Sequence, residues 1–290
     1  MMGCTLCPRR CNVDRDVGKG FCGVGSSLRV ARAALHHWEE PCISSTQGSG
    51  TVFFSGCVLK CIYCQNHQIS AEGFGKEISI SRLAEIFMEL KAQGAHNINL
   101  VNPTHFVPQI KEALDMVRNE LKIPVVYNTG GYERVETLKM MEGYVDIYLP
   151  DIKYFSDEAA ALSKASDYFD TAMAAVEEML RQTGAPVIED GILKKGTVVR
   201  HLVLPGLYKD SVEVIKCVGE RFGNDILFSL MSQYTPFYKA KDDPKLSRRI
   251  TTFEYRKALD AVYEAGLQGF MQQRSSAKEE YTPDFDLSGV

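Results

Sequence analysis

The stretch TVFFSGCVLKCIYCQ, residues 51–65, joins a short apolar run to a loop that contains three cysteines. The run Thr51–Gly56 is rich in Val and Phe, which is typical of a strand buried on both faces of a parallel sheet. Cys57, Cys61 and Cys64 follow within eight positions. Three thiolates this close in the chain can all face one centre only if the backbone loops around it. The stretch therefore predicts a buried strand that ends in a metal-binding loop.

Five further apolar runs follow, and amphipathic segments separate them. The runs lie at 97–102, 124–128, 145–150, 198–204 and 226–231. In the first amphipathic segment, Leu83, Phe87 and Leu90 recur with a helical period, with Ser81 placed to cap the start and Gly94 placed to end the helix. Further helices are predicted near 107–121, 156–164, 168–183 and 255–262, the last one preceded by a capping box at Thr251 and Glu254.

Six strand–helix units in succession predict an α/β protein whose parallel sheet curls into a partial (βα)6 TIM-like barrel. The remaining sequence is too short for the two additional units of a full eight-unit barrel. We assign this barrel to residues 51–273. Residues 1–50 are dense in Cys and Gly and are predicted to form a small Cys-rich N-terminal module, and residues 274–290 are a polar C-terminal tail that packs on the surface.

Charge and hydropathy exclude several classes of partner. The 290 residues include 33 Lys and Arg against 37 Asp and Glu, a net charge of −4, and no basic block stands out. A nucleic-acid partner is therefore not expected. No run of about 18 apolar residues predicts a membrane span. The N-terminus lacks the charged-then-apolar order of a secretory signal, so we expect a cytoplasmic protein.

Nine cysteines are present, and eight of them lie in the first 64 residues. In a reducing cytoplasm, clustered cysteines are more often metal ligands or catalytic thiols than disulfides. A secreted, disulfide-bonded cap is the alternative, and the missing signal sequence argues against it.

The loop at Cys57, Cys61 and Cys64 suits a [4Fe–4S] cluster. Three thiolates can bind three irons of the cubane, which leaves the fourth iron open for a substrate or cosubstrate. A zinc site with His67 as the fourth ligand is the alternative. Position favours the cluster, because the loop follows the first strand and so lies at the carboxyl end of the barrel, where such folds carry their active sites.

A second group of cysteines has the spacing Cys-x2-Cys-x3-Cys-x10-Cys. Four thiolates fit either a tetrahedral zinc or a second [4Fe–4S] cluster, with a structural or an electron-relay role. A module this small seldom folds without a metal or a covalent staple. The four are Cys4, Cys7, Cys11 and Cys22; Cys42 could replace one of them, and Cys217 is most simply a core thiol.

Charged residues mark two later strands. Asp151 and Lys153 directly follow the fourth apolar run and form either an ion pair at the rim or a contact to substrate or cosubstrate. Arg200 and His201 lie inside the fifth run, where burial without partners would cost several kcal/mol. Because side chains alternate along a strand, only one of these two faces the barrel interior. We favour Arg200 as the ligand of a carboxylate, with His201 as the alternative. His105 and Gln233 also fall at strand ends.

The spacing Cys-x3-Cys-x2-Cys with the aromatic Tyr63 before the last cysteine resembles the radical S-adenosylmethionine (SAM) signature. More narrowly, the chain resembles the pyruvate formate-lyase activating-enzyme-related (PflX-like) group. The matching stretches run almost end to end: CTLCPRRC at 4–11, HWEEPC at 37–42, GCVLKCIYCQN at 56–66, NINLVNPTH at 97–105, VYNTGGY at 126–132, DIYLPDIKY at 146–154, VRHLVLPG at 199–206 and LMSQYTP at 230–236.

This resemblance implies that SAM chelates the open iron and is cleaved, after one-electron reduction, to a 5′-deoxyadenosyl radical that abstracts hydrogen from the substrate. It implies cofactor-binding roles for Tyr63, Asn128 and Thr129, although Asn128 and Thr129 also suit a turn. Asn102 stands in Leu100-Val101-Asn102, where the family usually has Gly-Gly-Glu for the amino group of SAM, so that contact is weaker here or made by backbone carbonyls.

Three functions follow as hypotheses. The first is an activase that abstracts hydrogen from a glycine of a partner protein and leaves a glycyl-radical enzyme. The second is a radical SAM enzyme for a small molecule or another peptide side chain. The third is a non-catalytic metal-binding scaffold. Both enzyme hypotheses need a low-potential electron donor of the flavodoxin or ferredoxin type.

Overall fold

The computed structural model describes residues 3–272 and 283–290. The strands in this part of the chain are β1 Arg29–His36, β2 Ser49–Phe54, β3 Lys76–Glu77, β4 Ile98–Val101, β5 Val125–Thr129, β6 Ile147–Pro150, β7 Val187–Glu189, β8 Ile192–Leu202, β9 Leu227–Met231 and β10 Gly269–Met271. The α-helices are α1 Pro41–Ser44, α2 His67–Ser70, α3 Ile80–Ala92, α4 Val107–Val117, α5 Val135–Met140, α6 Asp157–Ala160, α7 Tyr168–Thr183, α8 Tyr208–Phe222 and α9 Thr252–Glu264. Short 3-10 helices lie at Thr104–Phe106, Ala161–Ser163, Gly223–Asp225 and Tyr238–Asp242.

The sheet is mostly parallel and does not close. Its strand order is β10-β9-β8-β6-β5-β4-β2-β1-β3, and β7 pairs with β8 alone. All neighbours from β2 to β10 along this path are parallel, whereas β1 is antiparallel to both β2 and β3. The predicted α/β partial TIM-like barrel is therefore confirmed, with its six parallel strands as β2, β4, β5, β6, β8 and β9. The short β10 adds one more at the edge.

Strand β1 was not predicted, because its sequence RVARAALH is rich in Ala and has Val30 as its single β-branched residue. It pairs with β2 from His36 opposite Ser49 to Val30 opposite Phe54. Part of the segment assigned to the N-terminal module thus belongs to the same sheet as the barrel strands, and the division at residue 50 stays a proposal.

The C-terminal residues 283–290 lie along β1. The Leu287 amide donates to the Ala31 carbonyl at 3.1 Å, and the Ala33 amide donates to the Ser288 carbonyl at 2.8 Å. Phe285 packs edge-on to Phe53 with ring centroids 5.5 Å apart. Residues 274–282 of the predicted tail lie outside the described residues.

Alternation along the parallel strands separates an inner from an outer face. Val126, Ile147 and Val198 belong to a small inner cluster, whereas Tyr127 and Tyr148 pack into the large core beneath the helices. Both faces are buried, which explains the near-continuous apolar runs in the sequence. Polar side chains that share the inner face are therefore held inside the barrel.

The connection between β1 and β2 covers the amino end of this barrel. Cys42 and Ile43 of α1 pack in the inner cluster against Val126, Ile147 and Leu149. Between β1 and α1 the connection contains Glu39 and Glu40, whose side chains are largely buried. A carboxylate from the N-terminal segment thereby reaches the barrel interior.

Helix boundaries follow local capping chemistry. The N-cap of α3 is Ser79, whose Oγ accepts from the Arg82 amide at 3.0 Å; the predicted cap Ser81 is wrong, and its Oγ contacts Ser79 Oγ at 2.8 Å. At α9 the capping box of Thr251 and Glu254 is confirmed. The longest described helix, α7, has 16 residues. Across residues 3–272 and 283–290, no helix has both the length and the apolar character that crossing a bilayer would require.

Candidate active site

The cysteine loop leaves the carboxyl end of β2 and borders a cavity of about 220 Å³. Gly56 turns the chain with a φ of +87°, and a Cβ at this position would lie 2.9 Å from the Cys22 carbonyl oxygen. Only glycine combines this backbone conformation with so close an approach. The turn sets Cys57, Cys61 and Cys64 together on the cavity wall.

Each of these three sulfurs has a hydrogen-bond partner close by. The Leu59 amide donates to Cys57 Sγ at 3.3 Å, and the Ser163 hydroxyl donates to Cys61 Sγ at 2.9 Å. Cys64 Sγ lies 3.2 Å from Ser70 Oγ. Hydrogen bonds donated to sulfur stabilise the negative charge of a thiolate.

The protein alone does not favour those thiolates. Burial, reinforced by the neighbouring thiols, raises the pKa of Cys57 to about 12 and that of Cys64 to about 11. A positive centre among the sulfurs would reverse this effect, because metal-bound thiols lose their protons. The donor set, three clustered sulfurs at the edge of a cavity, fits an iron–sulfur centre with one open corner.

A zinc site completed by His67 is not formed. The His67 ring packs on Tyr238 at 5.1 Å between centroids, and its Nδ1 lies 3.7 Å from a Glu72 oxygen. In the part of the chain that the structure describes, no three His, Cys, Asp or Glu side chains are arranged to hold a single metal ion.

Asp151, Lys153 and Arg200 meet inside the cavity. Lys153 Nζ lies 2.6 Å from Asp151 Oδ2, and Arg200 Nε lies 3.0 Å from Asp151 Oδ1. Burial opposes ionisation of Asp151, but the two cations outweigh it and lower the pKa of its carboxyl. Burial likewise disfavours a charged Lys153, and Asp151 outweighs it and raises the pKa of the ammonium. All three side chains therefore carry charge, and both predicted features, the ion pair and the cavity position, are present.

Glu39 completes this network, and its role was not predicted from the sequence. Its Oε2 lies 3.1 Å from Arg200 Nη1, and its Oε1 accepts from Asn99 Nδ2 at 3.0 Å and from Asn128 Nδ2 at 3.1 Å. The signal was the adjacent acidic pair Glu39–Glu40 ahead of Pro41. Glu39 and Asp151 pair with Arg200, and Glu40 is close enough to interact with it, so the protein itself supplies the carboxylate partners that we expected from a ligand.

Arg200 also donates from Nη2 to Asn128 Oδ1 at 2.6 Å. Three of its five N–H donors are thus bound to the protein, and two remain. His201 points to the other face of β8, where its Nδ1 meets the Ile152 carbonyl at 2.6 Å. The expected alternation is observed, and it keeps His201 away from the cavity.

Other candidate residues are divided between the cavity and the core. Tyr63, Asn102, Thr129 and Gln233 line the cavity together with the cysteines. Asn102 adopts a left-handed φ of +60° and donates to the Gly56 carbonyl, which ties the end of β4 to the cysteine loop. His105 is buried instead, with Nε2 2.8 Å from the Ser55 carbonyl.

The four N-terminal thiols lie close together. Cys11 Sγ and Cys22 Sγ are each 3.3 Å from the point that a Cβ on Gly20 would occupy, so they flank this glycine. Burial raises the pKa of Cys7 to about 11, and the charges of Cys22 and Cys4 add to this. Cys42 packs in the inner cluster at the other end of the barrel, so it does not replace one of the four. Cys217 is half-buried on α8.

This N-terminal segment is fastened directly to the cysteine loop. The Cys57 amide donates to the Cys22 carbonyl at 3.1 Å. Arg9 Nε donates to the Val58 carbonyl at 2.9 Å, and its guanidinium lies over the rings of Phe21 and Tyr132 at 4.2 and 4.9 Å. A backbone hydrogen bond from Cys57 to Cys22 therefore links a cysteine of one group directly to a cysteine of the other.

Comparisons with known proteins identified a relative in sequence and several solved structures of similar fold. The chain is 32% identical over 268 residues to uncharacterized protein MJ0674 of Methanocaldococcus jannaschii, a match that covers 89% of this chain and 73% of that protein. Its fold is similar to methylornithine synthase (PylB), at 13% identity and a TM-score of 0.49 over 83% of this chain and 72% of that one. It is also similar to Streptococcus suis SuiB bound to its precursor peptide SuiA, at 15% identity and a TM-score of 0.48 over 75% of this chain. The match spans 46% of SuiB, less than half its length.

The family model of the radical SAM superfamily matches residues 51–217. That range is more than half of the chain and contains the cysteine loop, Asp151, Lys153 and Arg200. The family implies a [4Fe–4S] cluster and SAM as cofactors, and the clustered sulfurs beside a cavity that contains charged side chains fit both. The chain belongs to the radical SAM superfamily.

Proposed function

We propose that Cys57, Cys61 and Cys64 hold the [4Fe–4S] cluster of a radical SAM enzyme that abstracts hydrogen from its substrate in the barrel cavity. The position of all three cysteines on the wall of the cavity that contains Asp151, Lys153 and Arg200 carries the proposal. When bound, the cluster and SAM together supply one-electron cleavage of the sulfonium and hydrogen abstraction. We place the protein in the cytoplasm, with a flavodoxin- or ferredoxin-type donor.

The chain's own residues orient the cofactors and exclude water. Lys153 is charged, buried and close enough to the cysteine loop to interact with Cys61. The two remaining donors of Arg200, with Asn102, Asn128 and Thr129, offer polar contacts for the amino-acid part of SAM or for the substrate. Tyr63 offers a ring at the cavity wall. A dry, enclosed site protects a reactive radical from solvent.

This proposal is tested on protein reconstituted anaerobically with iron and sulfide. We expect 5′-deoxyadenosine after addition of dithionite and SAM, and Cys57→Ala should abolish it. Cys217→Ala is the matched control, because this half-buried thiol of α8 lies outside both cysteine groups, and it should retain iron and cleavage. A parent protein that binds iron and yields no 5′-deoxyadenosine would favour the scaffold hypothesis.

We further propose that Cys4, Cys7, Cys11 and Cys22 bind a second metal centre, either [4Fe–4S] or zinc. Their proximity supports it, and the hydrogen bond from the Cys57 amide to the Cys22 carbonyl supports an electron-relay role. The iron, sulfide and zinc contents of Cys4→Ala, compared with those of the parent protein, identify the metal that the N-terminal cysteines bind. A relay predicts that Cys4→Ala keeps cleavage with dithionite and loses it with reduced flavodoxin, whereas a structural zinc predicts equal effects with both reductants.

The substrate separates two versions of the enzyme hypothesis. The end-to-end motif resemblance to the pyruvate formate-lyase activating-enzyme-related group favours an activase for a glycyl-radical protein. Asn102 in place of the usual acidic residue, and the additional N-terminal module, favour a small molecule or another peptide side chain. Electron paramagnetic resonance of mixtures with candidate glycyl-radical proteins decides, because a glycyl radical on the partner supports the activase. Cleavage of SAM with no such radical supports the other substrate class.

A further inference from the structure

A row of buried hydroxyl groups ends on the sulfur of Cys61. Tyr63 Oη lies 2.5 Å from Tyr154 Oη, and Tyr154 Oη lies 2.5 Å from Ser163 Oγ. The Ser163 hydroxyl donates to Cys61 Sγ at 2.9 Å. Ser163 and Tyr154 are fully buried, and Tyr63 is exposed by only 8%. The cofactor-binding role proposed for Tyr63 concerns its ring at the cavity wall and does not account for the three linked hydroxyls.

The direction of the protons follows from counting donors. A thiolate on Cys61 can only accept, so the single proton of Ser163 points to the sulfur. The oxygen of Ser163 must then accept from Tyr154, and that of Tyr154 must accept from Tyr63. The three O–H dipoles therefore all point towards the sulfur and polarise one another.

Backbone hydrogen bonds fix the segment that contains Ser163 against the cysteine loop. On either side of Cys61, the Lys60 amide donates to the Ser163 carbonyl at 3.2 Å and the Ile62 amide donates to the Leu162 carbonyl at 3.0 Å. Arg9 Nη2 adds a third bond to the Ser163 carbonyl at 3.3 Å. None of these bonds involves the Ser163 side chain, so an alanine at this position keeps the segment in place.

We propose that the row Tyr63–Tyr154–Ser163 sets the reduction potential of the cluster that Cys61 binds, by donating a polarised hydrogen bond to its sulfur. The inference rests on the proposed role of Cys61 as a cluster ligand. Hydrogen bonds to the sulfurs are among the factors that fix cluster potentials. The reduced cluster carries one more negative charge, so the row stabilises it more than the oxidised cluster and makes the potential less negative. Ser163 and the two tyrosines are thus positioning residues for electron entry.

The test is a redox titration of the reconstituted protein without SAM, followed by the electron paramagnetic resonance signal of the reduced cluster. Ser163→Ala should shift the midpoint potential to more negative values. Tyr154→Phe, which removes one hydroxyl and keeps the ring, should shift the midpoint less, because Tyr154 affects the sulfur only through Ser163. Tyr63→Phe should shift it least, because Tyr63 acts through both Tyr154 and Ser163. Tyr148→Phe is the matched control: its hydroxyl donates to Gln182 at 2.7 Å and does not belong to the row, so the midpoint of this variant should equal the parent's.

Equal midpoints for parent, Ser163→Ala and Tyr154→Phe would overturn the proposal. If Ser163→Ala fails to take up the cluster, Tyr154→Phe decides alone. Failure of the proposed function looks different, because Cys61→Ala would then retain the full iron content and the full reduced-cluster signal of the parent protein, or the parent would show no reducible cluster. If the hydroxyls had only a structural role, the shifts in midpoint potential would not decrease from Ser163→Ala through Tyr154→Phe to Tyr63→Phe.

Discussion

Arg200 carries its charge inside the barrel because Glu39 and Asp151 accept its hydrogen bonds. The side chains of Arg200, Asp151 and Glu39 are exposed by only 13%, 15% and 11%, so none of the three charges is well solvated. Removing one partner from a buried ion pair leaves an uncompensated charge, which costs about 3 to 5 kcal/mol. The same arrangement explains how a cation can occupy an otherwise apolar strand.

We therefore expect Arg200→Met to lower the free energy of unfolding by about 3 kcal/mol or more, measured by urea denaturation. The matched control is Arg181→Met. Arg181 is half exposed and pairs with the exposed Glu142 and with the buried Glu178, so a smaller loss is expected than for Arg200, whose own side chain is buried. Comparable losses in the two variants would contradict the buried network.

Glu133 is a second residue whose surroundings alter its chemistry. It is 1% exposed and accepts hydrogen bonds from Thr104 Oγ1 at 2.6 Å, from Tyr127 Oη at 3.3 Å and from Thr129. Burial raises the pKa of its carboxyl from 4.5 to about 7, although the hydrogen bonds oppose the change. The folded state therefore favours the protonated acid, while the unfolded state releases the proton at lower pH.

From this shift, the contribution of Glu133 to stability is complete below pH 4.5 and is lost as pH rises through about 7, a change of roughly 3 kcal/mol. Glu133→Gln lacks the titrating group. In urea denaturation between pH 5 and pH 8, the parent should lose stability relative to this variant as the pH rises. A difference between the two proteins that is constant with pH would show that the carboxyl is ionised throughout.

At the level of elements, α3 shows how one residue decides where a helix starts. Ser79 and Ser81 are both hydroxyl residues ahead of the same apolar stripe, and only Ser79 accepts from the Arg82 amide. Ser79→Ala should therefore destabilise the protein by about 1 kcal/mol in urea denaturation. Ser81→Ala should have a much smaller effect, because Ser81 is already inside the helix. The opposite order of losses would restore Ser81 as the cap.

Across the whole molecule, Arg9 connects three segments that are distant in sequence. Its guanidinium donates to the carbonyls of Val58, Ser163 and Lys164, which joins the N-terminal segment, the cysteine loop and the segment after α6. Arg10 is exposed and lies beside it in the chain. The pair offers a test of whether the N-terminal segment secures the loop.

Arg9→Met should accelerate amide hydrogen exchange at Cys57 and Lys60 by roughly tenfold, because hydrogen bonds from a charged group contribute about 1.5 kcal/mol or more each. Both amides donate to neighbouring segments in the parent structure. Arg10→Met should leave their exchange unchanged. If the two variants exchange alike, the N-terminal segment does not hold the loop closed.

Much of the barrel and the cysteine loop was accessible from the sequence. The six apolar runs, the period of Leu83, Phe87 and Leu90, and the capping box at Thr251 depend on residues near each other in the chain, and each predicted its element. The same holds for the three cysteines that follow β2. The exceptions are local too: β1 has a single β-branched residue, and Ser79 was one of two candidate caps.

The amino-acid order by itself determined which residues form the six parallel barrel strands, which thiols share a loop, and that Arg200 and His201 face opposite ways, because alternation and spacing are properties of neighbouring residues. Only the tertiary structure decided which partners they meet. Glu39 reaches Arg200, and Ser163 reaches Cys61, through the order and register of the sheet and the path of its connections. No local pattern encodes such pairs, because the energy that joins them comes from burying distant groups together.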